Sequence, residues 1–126
     1  MKATCIEDFL IYQKALKAAE IVDAILKRPA MERDRRLCEQ LAGSSAAVPA
    51  LMAEGFGLGT DRQFAQNLYR SRGESKETRT HLVVARGRGY VAADECESLC
   101  AKYDEIERMT TALIRHLQKE DRKVRG

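Results

Sequence analysis

Apolar residues return every three or four positions in four long blocks of this chain, and no stretch of comparable length alternates with a period of two, so the pattern predicts helices throughout. The first block, about 6–27, carries Ile11, Ala15, Ala18, Val22 and Ile25 on one face, with Tyr12, Leu16 and Ala19 widening the stripe. The second, about 33–54, runs through Leu37, Leu41, Ser44, Val48 and Met52. The third, about 61–86, has Phe64, Leu68, Ser71, Ser75, Thr78, Leu82 and Ala85, apolar at its ends and hydroxylic in its middle. The fourth, about 93–119, is the most regular, with Cys96, Leu99, Tyr103, Ile106, Thr110, Leu113 and Leu117. Short connections favour antiparallel neighbours, so the expected architecture is an all-α, up-and-down four-helix bundle in a single domain, with residues 120–126 frayed.

The punctuation fits those blocks. Thr4 with Glu7 and Thr60 with Gln63 have capping-box spacing, and Pro29 closes the first helix. Gly55, Gly57 and Gly59 are expected to end the second by adopting backbone angles that side chains disfavour. Inside that helix, Pro49 removes one backbone hydrogen bond, which predicts a kink serving shape. Just before it, Ala42-Gly43-Ser44-Ser45-Ala46-Ala47 offers six small residues, so a neighbouring helix can approach closely. The hydroxyls in the third helix need partners once buried; either they form a satisfied network or that face meets water or another chain.

At 126 residues, 44% apolar and 33% charged, the chain suffices for one core. The longest nearly uncharged apolar run, 46–53, contains a proline and is far too short for a bilayer. The opening residues have acids where a secretion signal wants a basic flank, so a cytoplasmic location is expected, with no membrane partner. Four cysteines without a Cys-x-x-Cys pair read as reduced thiols; Cys96 and Cys100 share a helical face and could supply two ligands of a metal site, but apolar packing is the stronger reading. The net charge of +3 conceals segregation: seven basic residues (Arg62, Arg70, Arg72, Lys76, Arg79, Arg86, Arg88) against two acids between 62 and 88, then six acids against Lys102 between 94 and 107.

Nothing assembles into a nucleophile, base and orienter, so no catalytic residue, cofactor, metal or small-molecule substrate is assigned. Gly55-Phe56-Gly57-Leu58-Gly59 lacks the spacing of a dinucleotide loop and follows a helix where that fold has a strand. Glu77, Thr80 and His81 lack the Glu-x-x-His spacing of di-metal bundles and read as a polar network. Glu54, near the carboxyl end of its helix, is disfavoured by the helix dipole and is expected to find a partner.

Taken in order, Tyr12-Gln13-Lys14-Ala15, Gln40-Leu41 before the small-residue run, Pro49, Ala53-Glu54-Gly55-Phe56-Gly57, Phe64, Leu68, Gly73, Glu77, Thr80, Leu82, Ala85 and Gly89-Tyr90 resemble the 23S rRNA intervening-sequence proteins. Their wider family includes accessory proteins of diversity-generating retroelements. The resemblance implies an antiparallel bundle assembling into a closed homo-oligomeric ring, commonly a pentamer, without known catalysis. In such a ring a neighbouring subunit would cover the polar middle of the third helix. It marks Pro49, Ala53, Glu54, Gly55 and Gly57 as the motif of the second helix, and Gly73, Glu77, Thr80 and Tyr90 as a polar network or subunit interface. The chain departs from the family pattern at Ala42-Gly43 and Ala50-Leu51, where arginines and an asparagine are usual, and so loses donors for phosphate.

The expected function is therefore a non-enzymatic, homo-oligomeric scaffold or accessory protein. The alternative is an RNA- or DNA-binding accessory protein using the seven basic residues above, joined by Arg115, Lys119, Arg122, Lys123 and Arg125. Those seven cannot share one helical stripe, and three Phe, four Tyr and no Trp leave little for base stacking.

Overall fold

The computed structural model describes residues 5–126, and among them it is all-helical. A 3₁₀ turn, Ile6–Asp8, leads into α1 (Leu10–Leu26); α2 (Pro29–Arg33) is short; α3 (Arg35–Gly57), α4 (Asp61–Gly87) and α5 (Ala93–Arg125) are long. The capping pair proposed at Thr4 lies outside the described residues. Pro29 does close α1, and it also opens α2 from its first turn, where a missing N–H costs nothing. Thr60 caps α4, its hydroxyl accepting the Gln63 N–H at 3.2 Å. The stretch expected to fray continues α5 to Arg125, with ion pairs Lys123–Glu120 and Arg125–Asp121 along it.

Helix α3 packs along α4, α4 along α5, and α1 lies against both α3 and α5. Cross-helix pairs run in opposite sequence directions: Val48 with Ser71 and Ser44 with Thr78, then Arg79 with Glu107 and Arg72 with Thr111. The core follows the stripes read from the sequence, Ile11 through Ile25, Leu37 through Met52, Phe64 through Ala85 and Cys96 through Leu117, except that Leu16 is exposed and Ile114 rather than Leu113 is fully buried; Met31 of α2 joins it. At one end Phe9, Phe56 and Phe64 meet edge to face, centroids 5.4 to 5.7 Å apart, tying the start of α1 to the α3–α4 corner. At the other end Arg28 grips Glu95 with two bonds, 3.0 and 2.5 Å, and reaches the Tyr90 carbonyl at 3.2 Å.

One expectation fails at the α3–α4 corner. Gly55 and Gly57 do not end α3 through unusual backbone angles; both are helical, Gly57 as the last residue, and Gly59 alone of the three takes a positive φ, at 93°. Gly55 is there for space. A Cβ on it would stand 2.6 Å from Asn67 Cβ and 3.2 Å from the Phe64 ring, so α4 crosses at a distance only glycine permits. Asn67 exploits the approach, donating from Nδ2 to the Leu51 carbonyl and to Glu54 Oε2, both at 3.1 Å. Pro49 is buried inside α3, which continues through it.

Two predictions follow from these corners. Gly55→Ala gains about 1 kcal/mol of helix propensity but meets overpacking of roughly 1–3 kcal/mol and disturbs both Asn67 bonds, so it should destabilise. Gly43→Ala, with open space around it, should stabilise by up to about 1 kcal/mol. Urea melts of the two variants check the opposite signs. The Arg28 guanidinium, with the Ala92 N–H, holds the Glu95 carboxyl at about 2 against its ordinary 4.5. A depressed carboxyl adds stability that is present above its unfolded value and lost as pH falls through the folded one. Glu95→Gln should thus lower Tm at neutral pH and shrink the loss of Tm between pH 4.5 and 2; an acid slope equal to wild type would refute the clasp.

Candidate functional site

The hydroxyls of α4 are satisfied inside the chain. Ser71 donates to the Val48 carbonyl at 2.7 Å, Thr78 lies 2.9 Å from both the Ser44 hydroxyl and the Glu74 carbonyl, and Ser75 donates to Glu107 Oε2 at 2.7 Å. All are buried within one chain, which corrects the expectation that a neighbouring subunit covers this face. Glu107, whose side chain is 5% exposed, also receives Lys76 at 3.1 Å and Arg79 at 2.6 Å. The opposed charges of the third and fourth blocks therefore meet here within one chain. The polar centre is closed, except that Arg79 Nε and the Tyr103 hydroxyl are buried without a partner among the described atoms. Burial, and then Asp23, push the Tyr103 phenol well above its usual range.

The residues marked by the resemblance fall into three places. Ala53 packs on the core, Glu54 accepts from Asn67, and exposed Gly57 closes α3. Gly73, Glu77 and Thr80 are not in the buried network; they sit at spacings of four and three on an exposed stripe of α4, and a Cβ on Gly73 would meet nothing within 4 Å. Beside them burial, with Glu77 adding, raises the Glu74 carboxyl. Tyr90 belongs to a separate clasp: its hydroxyl donates to Asp34 Oδ2 at 2.9 Å, where Arg88 arrives at 2.7 Å, and these two hold the Asp34 carboxyl below its usual value.

The seven basic candidates from Arg62 to Arg88 divide the same way. Arg88 is taken by Asp34, Arg70 sits on the Gly73 side, bonded to Asn67 Oδ1 at 3.5 Å, and Arg86 is exposed near the end of α4. Arg72, Lys76 and Arg79 face α5. Arg72 and Lys76 line a groove of about 530 Å³ with Asp104, Glu107, Arg108, Thr111 and Arg115. Arg72 is fixed there by a 2.9 Å bond to the Thr111 hydroxyl and lies 5.0 Å from the Tyr69 ring centroid. Counting Arg79, five cations meet two carboxylates, so the groove keeps a positive excess. Lys119 and Arg122 follow Arg115 on the same side of α5 by helical spacing, while Lys123 and Arg125 pair along their own helix. Arg62 lines an adjoining notch with Ala65, Gln66, Tyr69, Gln118 and Asp121.

Cys96 and Cys100 bring their sulfurs to 3.9 Å, but burial, reinforced by Cys96, pushes the Cys100 thiol up to about 11, which keeps it protonated and a poor ligand. Among the described residues no three His, Cys, Asp or Glu side chains gather as a metal set. No helix among them is long and apolar enough to cross a membrane.

Sequence reasoning missed Asn67, Asp34, Glu107 and Tyr69. Glu107 follows Ile106 at the edge of the apolar stripe of α5 and faces the cations of α4, a signal the charge segregation could have supplied. Glu107→Ala takes the acceptor from the buried Ser75 hydroxyl and the counter-charge from Arg79, whose side chain is 31% exposed, and should cost about 1–3 kcal/mol in urea melts. Lys76→Ala, removing a side chain 57% exposed, should cost under about 1 kcal/mol. Equal costs would mean the carboxylate is not the anchor.

Comparison with known proteins covers most of the chain. The model of the family described as 23S rRNA-intervening sequence protein matches residues 7–112. A crystal structure of a protein with unknown function from the S23 ribosomal protein family of Bacteroides thetaiotaomicron matches with a TM-score of 0.75 at 20% identity, covering 83% of this chain and 98% of that one. At that identity the likeness speaks for the fold alone. None of the curated proteins compared with the chain matches it.

Proposed function

The chain belongs to the 23S rRNA-intervening sequence protein family, and from that membership and the outer face of α4 we propose that it is a single four-helix-bundle domain that assembles with copies of itself into a closed ring, five chains being favoured. In this reading it is a cytoplasmic, non-enzymatic scaffold or accessory protein, of the kind the wider retroelement resemblance suggests. The observation that carries it is the exposed stripe of Gly73, Glu77 and Thr80: three residues fitting the family pattern that are not needed to close the core of this chain. Beside them α3 also presents small exposed residues, Gly43, Ala46 and Ala50, on which another helix can lie close. Glu54, Arg70 and Glu77 supply charges of both signs around that patch, suited to a head-to-tail contact that closes when its rotation fits the number of chains. The absence of an enzymatic role is supported by how the polar core is used: its hydroxyls donate to backbone carbonyls, to Ser44 and to Glu107.

A second reading is favoured by the α4–α5 groove. Its positive excess suits a phosphate backbone without reading base sequence, and repetition around a ring would multiply it.

Absolute mass by light scattering tests the assembly. The wild type should hold a constant multiple of 14.2 kDa on dilution, five-fold if the favoured number is right. Gly73→Gln adds bulk only outside the chain, so it should keep or raise Tm while reducing the mass toward one chain. A monomeric wild type, or a variant of unchanged mass, would refute this reading.

A further inference from the structure

Seven aromatic residues are present, and six are engaged inside: the three phenylalanines in their edge-to-face cluster, Tyr103 in the core, Tyr12 against it, and Tyr90 on Asp34. Tyr69 is the exception, 44% exposed, and it stands on the basic side of α4. Arg72, one turn later, lies over its ring, 5.0 Å from the centroid. The Gln118 amide donates to its hydroxyl at 3.2 Å, holding the ring from across α5. Toward the start of α4 the ring walls the notch of about 210 Å³, whose other lining includes Arg62, Gln66, Gln118 and Asp121.

We propose that this notch is a base-stacking subsite, and that the ligand of the α4–α5 groove is single-stranded nucleic acid, one base lying against Tyr69 while its phosphates follow Arg62, Arg72 and Arg115. The inference rests on the nucleic-acid reading above and narrows it to single strands. A base needs a flat, fixed aromatic surface beside cations, and Tyr69 is fixed on two sides. Its edge needs hydrogen-bonding partners, and the notch holds two amides and a carboxylate. A duplex keeps its bases stacked on each other and offers the ring nothing, so it would use the arginines alone. The sugar is not specified by these groups; RNA and DNA share the chemistry.

Fluorescence anisotropy with labelled uridine and deoxythymidine oligonucleotides of about 12 residues, a duplex of equal length and inorganic polyphosphate tests it, at about 50 and 200 mM salt. Single strands should bind more tightly than duplex or polyphosphate, and weaken with salt. Tyr69→Ala should weaken single strands about 5- to 100-fold and leave the duplex unchanged, while Tyr69→Phe, which keeps the ring, should bind nearly as wild type. Whichever sugar binds better identifies the natural class. If Arg72→Gln and Arg115→Gln weaken binding but Tyr69→Ala does not, or if polyphosphate binds equally well, the stacking subsite is overturned while a phosphate-binding surface survives. If the wild type retains no oligonucleotide at the lower salt, both fall. Tyr69 is exposed, so an unchanged melting curve for Tyr69→Ala separates a lost contact from a lost fold.

Discussion

A hydroxyl sealed from water must donate to something, and in this chain Ser71, Ser75 and Thr78 are sealed at mid-helix, with only Thr78 also in reach of a carbonyl of its own helix, that of Glu74. That requirement fixes how α4 is rotated and how far it slides along both neighbours. Ser71 finds a carbonyl on α3, Thr78 a hydroxyl on α3, and Ser75 a carboxylate on α5. A slip of one residue would carry all three to water and bring charged neighbours inside. Leu68 and Leu82 supply apolar burial on either side, but leucines tolerate small slides that directed bonds do not.

The rotation so fixed decides what the outside of α4 can be. One flank brings Lys76 and Arg79 to the buried Glu107 and Arg72 to Thr111; the opposite flank is left with Gly73, Glu77 and Thr80. A cation drawn toward Glu107 loses freedom as a ligand for phosphate, yet the same pull lines the groove with its neighbours. How the core is kept satisfied thereby decides which side chains each outer flank of α4 presents.

The stripes were legible because periodicity needs no knowledge of partners: the apolar positions of all four blocks are nearly the core of the structure. Thr60 and Pro29 were legible because capping is local. Gly55 misled because glycine marks both a chain that must turn and a chain that must be approached, and only the position of Asn67, twelve residues later, separates the two. Asp34 was invisible for a related reason: its cation comes from 54 residues away, a distance along which composition carries no pairing information, whereas Glu107, 28 residues from Arg79, was marked only by the segregation of charge. Tyr69 needed the final rotation of α4, since by spacing alone it is one polar-edged residue among charged ones.

The contact at Gly55 makes α3 and α4 a single mechanical body. Backbones pressed that close, with Asn67 stitched to Leu51 and Glu54, have no room to shear, so a push on the outside of either is delivered whole to the other. Helix α1 is seated along its whole length by Ile11, Ala15, Ala18, Val22 and Ile25, with the phenylalanine cluster at its start and Arg28 just past its end. Those contacts on α3 are apolar and undirected, so a slide of α1 costs less than one between α3 and α4.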